Sequence, residues 1–184
     1  MNTKLFLLLF LLSFVDIASI KHSEQIWKKF MKLIEEKKIL LESKFYFLYD
    51  ETNILSDENN IKIKNINTLQ KNFYSRHDVK NYIFLIDSLG GDSIEDLTTD
   101  LSHFIGDDLV RDLADSIFTV ISIKNKLIKI QLGPRTYLKY HRGALDVIIP
   151  NLNPYLKDGD FYELCRKLME YLEIYYDYFY ISND

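Results

Sequence analysis

Two apolar runs with a short polar step between them dominate the pattern of this chain: Ser116-Ile117-Phe118-Thr119-Val120-Ile121-Ser122 and Leu127-Ile128-Lys129-Ile130-Gln131-Leu132. The first is nearly all apolar or β-branched, as expected of a strand buried on both faces, whereas the second alternates as a half-exposed neighbour does. The Lys124-Asn125 step predicts a turn, so the pair reads as an antiparallel hairpin, led in by Asp115 and closed by Gly133. Upstream, Tyr82-Ile83-Phe84-Leu85-Ile86 is a core strand that ends in Asp87 and turns at Gly90-Gly91. Ser93 then caps a helix over residues 93–104 with Ile94, Leu97, Leu101 and Phe104 on one stripe, and residues 107–114 add a short helical turn. Strand, helix and strand make a crossover unit, expected to be right-handed with its two strands parallel.

Helical spacing recurs on both sides of this unit. Near the start, Ser23 is placed to cap a helix carrying Ile26, Trp27, Phe30, Leu33, Ile34 and Leu40; packing on the domain is expected, with service as a partner helix as the alternative. Phe45 to Tyr49 reads as an edge strand or an extended connection. Ser56, with Leu55 as a hydrophobic staple and Asp57 and Glu58 in the first turn, predicts a helix running to about Phe73. Its stripe is Ile63, Ile66, Leu69, Gln70 and Phe73. Leu138, Leu145, Ile148 and Ile149 suggest a helix that Pro150 kinks or ends and Pro154 stops. Asp160 and Glu163 have capping-box spacing ahead of a long last helix with Phe161, Leu164, Cys165, Leu168, Leu172, Tyr175, Tyr176 and Phe179 on its apolar stripe.

Composition adds limits. With 184 residues, 47% hydrophobic and 27% charged, one domain with its own core is expected. A net charge of −4 without a long Lys/Arg block argues against a nucleic-acid partner, because phosphate neutralisation needs a concentrated basic face. Met1-Asn2-Thr3-Lys4 followed by an apolar run from Leu5 to Val15 has the form of a signal peptide cut after Ser19, so a secreted or lumenal product is expected. Nothing later is apolar for long enough to make a membrane helix in the mature chain. The single cysteine, Cys165, excludes an internal disulfide and reads as a small buried hydrophobe. Zinc-type Cys/His spacing, a Gly-rich phosphate loop and a Gly-x-Ser-x-Gly elbow are missing. His103 and His141 read as surface or packing residues rather than general bases.

The order of these elements, with Asp50, Ile54-Leu55-Ser56, Tyr82 to Leu89, Asp115 to Ser122, Lys129 to Gly133 and Pro154 to Tyr162, resembles the TPM domain over about residues 49–178. That family includes thylakoid-lumen repair proteins, bacterial relatives and nematode modulators of the levamisole receptor. The resemblance implies an α/β fold, an αβα sandwich around a small mixed sheet. The organisation would then be a signal peptide at 1–19, an extra N-terminal amphipathic helix and connection at 20–48, and the TPM-like domain at 49–180. Asp115-Ser116 stands where bacterial and plant relatives usually have Asn-Gly, and Gly133-Pro134-Arg135-Thr136 replaces their Gly-rich segment. With a signal peptide and no plastid transit segment, the chain is closest in character to the nematode branch.

Two functions of different class follow from the resemblance. One is an accessory protein that binds a membrane receptor, such as an acetylcholine-gated channel, and needs no cofactor. The other is a weak, metal-assisted acid phosphatase, an activity assigned to some plant relatives. For the second, Asp87 ends its strand where open α/β sheets place ligands, and Asp115 precedes the neighbouring strand, so the two need not share a rim. Asp107, Asp108 and Asp112 are the further candidate ligands for Ca²⁺ or Mg²⁺, and Arg135 is the candidate phosphate contact. Strand-end and loop acids equally serve as turn, cap or solvated residues.

Overall fold

The computed structural model describes residues 21–35, 45–57, 59–109, 112–139 and 143–180. The expected signal segment, Leu40, Glu58, His141 and the side chains of Leu138, Tyr178, Phe179 and Tyr180 lie outside the described residues. In chain order the elements are α1 (His22–Glu35), β1 (Tyr46–Asp50), α2 (Ile61–His77), β2 (Lys80–Ile86), α3 (Ile94–Asp108), β3 (Ser116–Ser122), β4 (Leu127–Leu132), α4 (Pro134–Lys139), α5 (Ala144–Asp158) and α6 (Phe161–Tyr180).

Alternation along the strands makes the fold. The sheet has the order β1-β2-β3-β4. β1 and β2 are parallel, as are β2 and β3, and β4 returns antiparallel to β3 with Ile117 opposite Leu132 and Ser122 opposite Leu127. Every residue of β3 is buried and β4 is only partly so, as the two runs predict. Leu48, Ile83, Leu85, Ile117 and Ile121 enter one core with α2, α5 and α6; Phe47, Tyr49, Tyr82, Phe84, Phe118 and Val120 enter the other with α1 and α3. The result is the expected αβα sandwich. Both crossovers step the same way across parallel strands, yet α2 and α3 lie on opposite faces, so they have opposite hands and one departs from the right-handed rule.

Five local expectations are corrected. Ser23 is not a cap: it lies inside α1, fully buried, and its hydroxyl donates to Asp100 Oδ2 at 2.9 Å. α2 starts at Ile61 and runs to His77, because Asp50 Oδ2 and the Asn53 carbonyl hold the N–H groups of Leu55 and Ser56 in a preceding loop. Asp57, not Ser56, then accepts from the N–H of Ile61 at 2.6 Å and of Lys62 at 3.3 Å. The expected separate turn at 107–114 is not seen in the described part of that range: α3 itself continues to Asp108, residues 112–114 are not helical, and Val110 and Arg111 lie outside the described residues. Neither proline stops α5, which runs through Pro150 and Pro154. Those rings remove intrahelical bonds to the carbonyls of Asp146 and Pro150, both exposed residues that water can serve, while Ala144, Ile148, Leu152 and Leu156 anchor the opposite face.

The other caps hold as predicted. Ser93 Oγ accepts from the N–H of Asp96 at 3.0 Å, and Asp160 accepts from the N–H of Glu163 at 3.1 Å. Phe45–Tyr49 resolves into an edge strand, β1. α1 packs on the second face rather than leaving it: Phe30 sits against Phe47, Tyr49 and Phe84, and Trp27 against Phe104.

Candidate functional site

The register of β2 and β3 decides where the predicted carboxylates lie. Lys80 pairs with Ser116 and Ile86 with Ser122, so Asp115 precedes β3 at one end of the sheet and Asp87 follows β2 at the other. Eight residue steps separate their levels along the strands, so at about 3.3 Å per residue they stand roughly 26 Å apart. One ion cannot be shared by both.

At the carboxyl end of the parallel strands, Asp87 is held from three sides. Its N–H donates to Glu51 Oε2 at 3.1 Å, its carbonyl accepts from the N–H of Lys124 at 2.9 Å, and its carboxylate accepts from Lys124 Nζ at 2.7 Å. Glu51 also accepts from Lys29 of α1 at 3.2 Å. The loop that follows closes against α1, where His22 Nε2 donates to the Ser88 carbonyl at 2.9 Å. Gly90 is required there: its φ is +60°, and a Cβ would collide with the His22 ring.

At the opposite end, Asp112, Asp115 and Arg135 do come together. Gly133 lets the chain pass against the carbonyls of Leu113 and Ala114, which any Cβ would strike, and so brings α4 beside the segment leading into β3. Arg135 Nε then donates to Asp115 and its terminal nitrogen to Asp112, both at 2.7 Å. The Ala114 N–H and the Arg135 guanidinium hold the Asp112 carboxyl below its usual range, and the two carboxylates push the guanidinium up in turn. Arg135 is therefore engaged by acids, which occupy the fork a phosphate would need. Asp107 is exposed, and Asp108 accepts from the Trp27 indole at 2.6 Å. His103 is exposed on α3, and Cys165 is fully buried, its thiol pushed up first by burial and then by the Asp50 charge.

A third place was not singled out by sequence reasoning. Between α2 and α6 runs a groove of about 600 Å³ lined by Asn65, Leu69, Arg76, Tyr162, Met169 and Ile174, among others. Leu69 and Ile174 are 36% and 52% exposed. Near it, the end of α2 meets α6. His77 Nε2 donates to Glu173 Oε1 at 3.0 Å and lies 3.5 Å from Asp177 Oδ1, while Arg76 pairs with Glu173 and, at 3.3 Å, with Asp177. Among the described residues, His77, Glu173 and Asp177 are the one trio of His, Cys, Asp or Glu whose ligand atoms lie within 4.8 Å of one another. The available signal was the Glu173–Asp177 spacing of four on α6, which puts both acids on one helix face.

Known proteins place this geometry in a wider setting. The TPM domain family model matches residues 48–173. The N-terminal domain of a P. gingivalis protein, solved by solution NMR, is 18% identical with a TM-score of 0.58, covering 72% of this chain and 85% of that one. The N-terminal domain of the cg2496 protein from Corynebacterium glutamicum is 17% identical with a TM-score of 0.55, covering 72% and 83%. At such identities the likeness is one of fold. No curated protein matches the chain. No helix among the described residues is long and apolar enough to cross a membrane.

Proposed function

Because the chain belongs to the TPM domain family, we propose that it is an accessory protein that binds a membrane complex in the secretory pathway or outside the cell, in the manner of the nematode receptor modulators. The leader at residues 1–19 delivers it there, and an acetylcholine-gated channel is the partner of first choice. The observation that carries this reading is the groove between α2 and α6, with Leu69 and Ile174 left exposed beside Arg76 and Tyr162. Apolar side chains flanked by arginine and tyrosine suit a contact that buries a partner's apolar residues inside a polar rim. Engagement of Arg135 by Asp112 and Asp115 favours binding over phosphate chemistry.

The test is co-expression with acetylcholine-gated channels, reading current, surface level and capture of a complex. The double variant Leu69→Asp/Ile174→Asp changes exposed positions only and should abolish the effect. Unchanged current and surface level with no captured complex would remove this reading.

A weak acid phosphatase is the second reading, supported by Asp87 beside Glu51 at the carboxyl end of a parallel strand. Hydrolysis of a phosphate monoester at mildly acidic pH, stimulated by Ca²⁺ or Mg²⁺ and lost in Asp87→Asn, would put it first. Equal rates for the wild type and Asp87→Asn would discard it.

A further inference from the structure

We infer that His77, Glu173 and Asp177 form a binding site for a divalent transition-metal ion of the zinc type, clamping the end of α2 to α6. Three features of this place support it. First, the spacing fits: ligands about 2.1 Å from a tetrahedral zinc ion are about 3.4 Å from each other, and His77 Nε2 lies 3.0 Å from Glu173 Oε1 and 3.5 Å from Asp177 Oδ1. Second, the ligands are positioned by the fold. The His77 ring is packed between Phe73 and Tyr176, with centroids 4.9 and 4.4 Å away, and its side chain is only 9% exposed. Glu173 and Asp177 project from consecutive turns of α6.

Third, the place already draws a cation. Two carboxylates converge there, and Arg76 bridges both. Its side chain is 58% exposed and can swing into water, leaving the carboxylates to an ion. Binding would go through a deprotonated His77 Nε2, with the ring's one proton on Nδ1, and leave one coordination position to water. An imidazole with two carboxylates selects zinc, cobalt or nickel over Ca²⁺ and Mg²⁺, which prefer all-oxygen shells. Glu173 also lines the groove, so a bound ion would stiffen one end of the proposed docking face.

The experiment uses the whole mature chain with Zn²⁺, Co²⁺, Ca²⁺ and Mg²⁺. At a hundredfold excess over Kd, Zn²⁺ is expected to raise the melting temperature by about 5–10 °C, and Co²⁺ to give the visible absorption of a tetrahedral site. Asp177→Asn, a change at a half-exposed position that leaves the fold intact, should abolish both responses. Arg76→Gln, which removes the competing cation, should tighten binding. The absence of a Zn²⁺ response, or a response and a Co²⁺ band that survive in Asp177→Asn and Glu173→Gln, would overturn the assignment. So would a Ca²⁺ or Mg²⁺ shift as large as that of Zn²⁺.

Discussion

Replacing Phe30 with alanine tests whether α1, which precedes the family match, is an integral layer of the fold. Phe30 is fully buried, with ring centroids 4.9 Å from Phe47, 5.1 Å from Tyr49, 5.8 Å from Phe84 and 5.2 Å from Trp27. Truncating a buried phenylalanine costs about 3–5 kcal/mol, from lost transfer energy and the cavity left behind. In a chain of this size each kcal/mol moves the melting temperature by about 2–4 °C, so the expected fall is about 6–20 °C. Trp27 is the only tryptophan and packs in the same layer, so its emission follows α1 while circular dichroism follows the whole fold. Both probes should melt together in the wild type and move down together in Phe30→Ala. A circular-dichroism transition shifted by less than about 2 °C, with tryptophan emission already that of a solvated indole, would show that α1 is an appendage and refute the argument.

Other outcomes follow from particular contacts. Gln70 Nε2 donates at 2.9 Å to both the Phe47 carbonyl and Asn81 Oδ1 inside the core; the β1–β2 ladder also pairs that carbonyl with the Ile83 N–H, so Gln70→Leu should cost about 1–3 kcal/mol for the one acceptor left bare, Asn81 Oδ1, read by denaturant titration. For Asp57, burial acts to raise the carboxyl, but the N–H groups of Ile61, Lys62 and Asn59 and the Lys62 charge outweigh it and hold the pKa below its ordinary value. A depressed folded pKa gives stability that is present above the unfolded value of about 3.9 and lost as pH falls through the folded one. The gap in melting temperature between wild type and Asp57→Asn should therefore be open at neutral pH and close in strong acid; a gap that is constant with pH would contradict this. Cys165 should react with iodoacetamide only as fast as the chain unfolds, since burial suppresses its thiolate; rapid labelling of the native protein would contradict the packing.

The sequence was most legible where one short-range signal agreed with burial. The hairpin could be read because a fully apolar run and an alternating run have different faces to satisfy, and β3 and β4 do so. Ser93 and Asp160 could be read as caps because their partners are three residues away. Ser23 misled because its partner, Asp100, lies far along the chain. Pro150 and Pro154 misled because propensity ignores the four anchors on the far side of α5 and the water available to the exposed side. The carboxylates were identifiable as strand-end residues that need not share a rim, and the parallel register puts Asp87 and Asp115 at opposite ends of the sheet. The groove and the His77 cluster were hidden: each joins α2 to α6 across about a hundred residues, and no local periodicity encodes that meeting.

Capture of the full chain on a co-expressed acetylcholine-gated channel, comparing the wild type with Leu69→Asp/Ile174→Asp, is the most direct test of the proposed role. The account predicts that the wild type is recovered with the channel and changes its current or surface level, while the equally well-folded double variant does neither. A wild type that is neither recovered nor active on the channel, or a double variant that behaves as the wild type does, would contradict it.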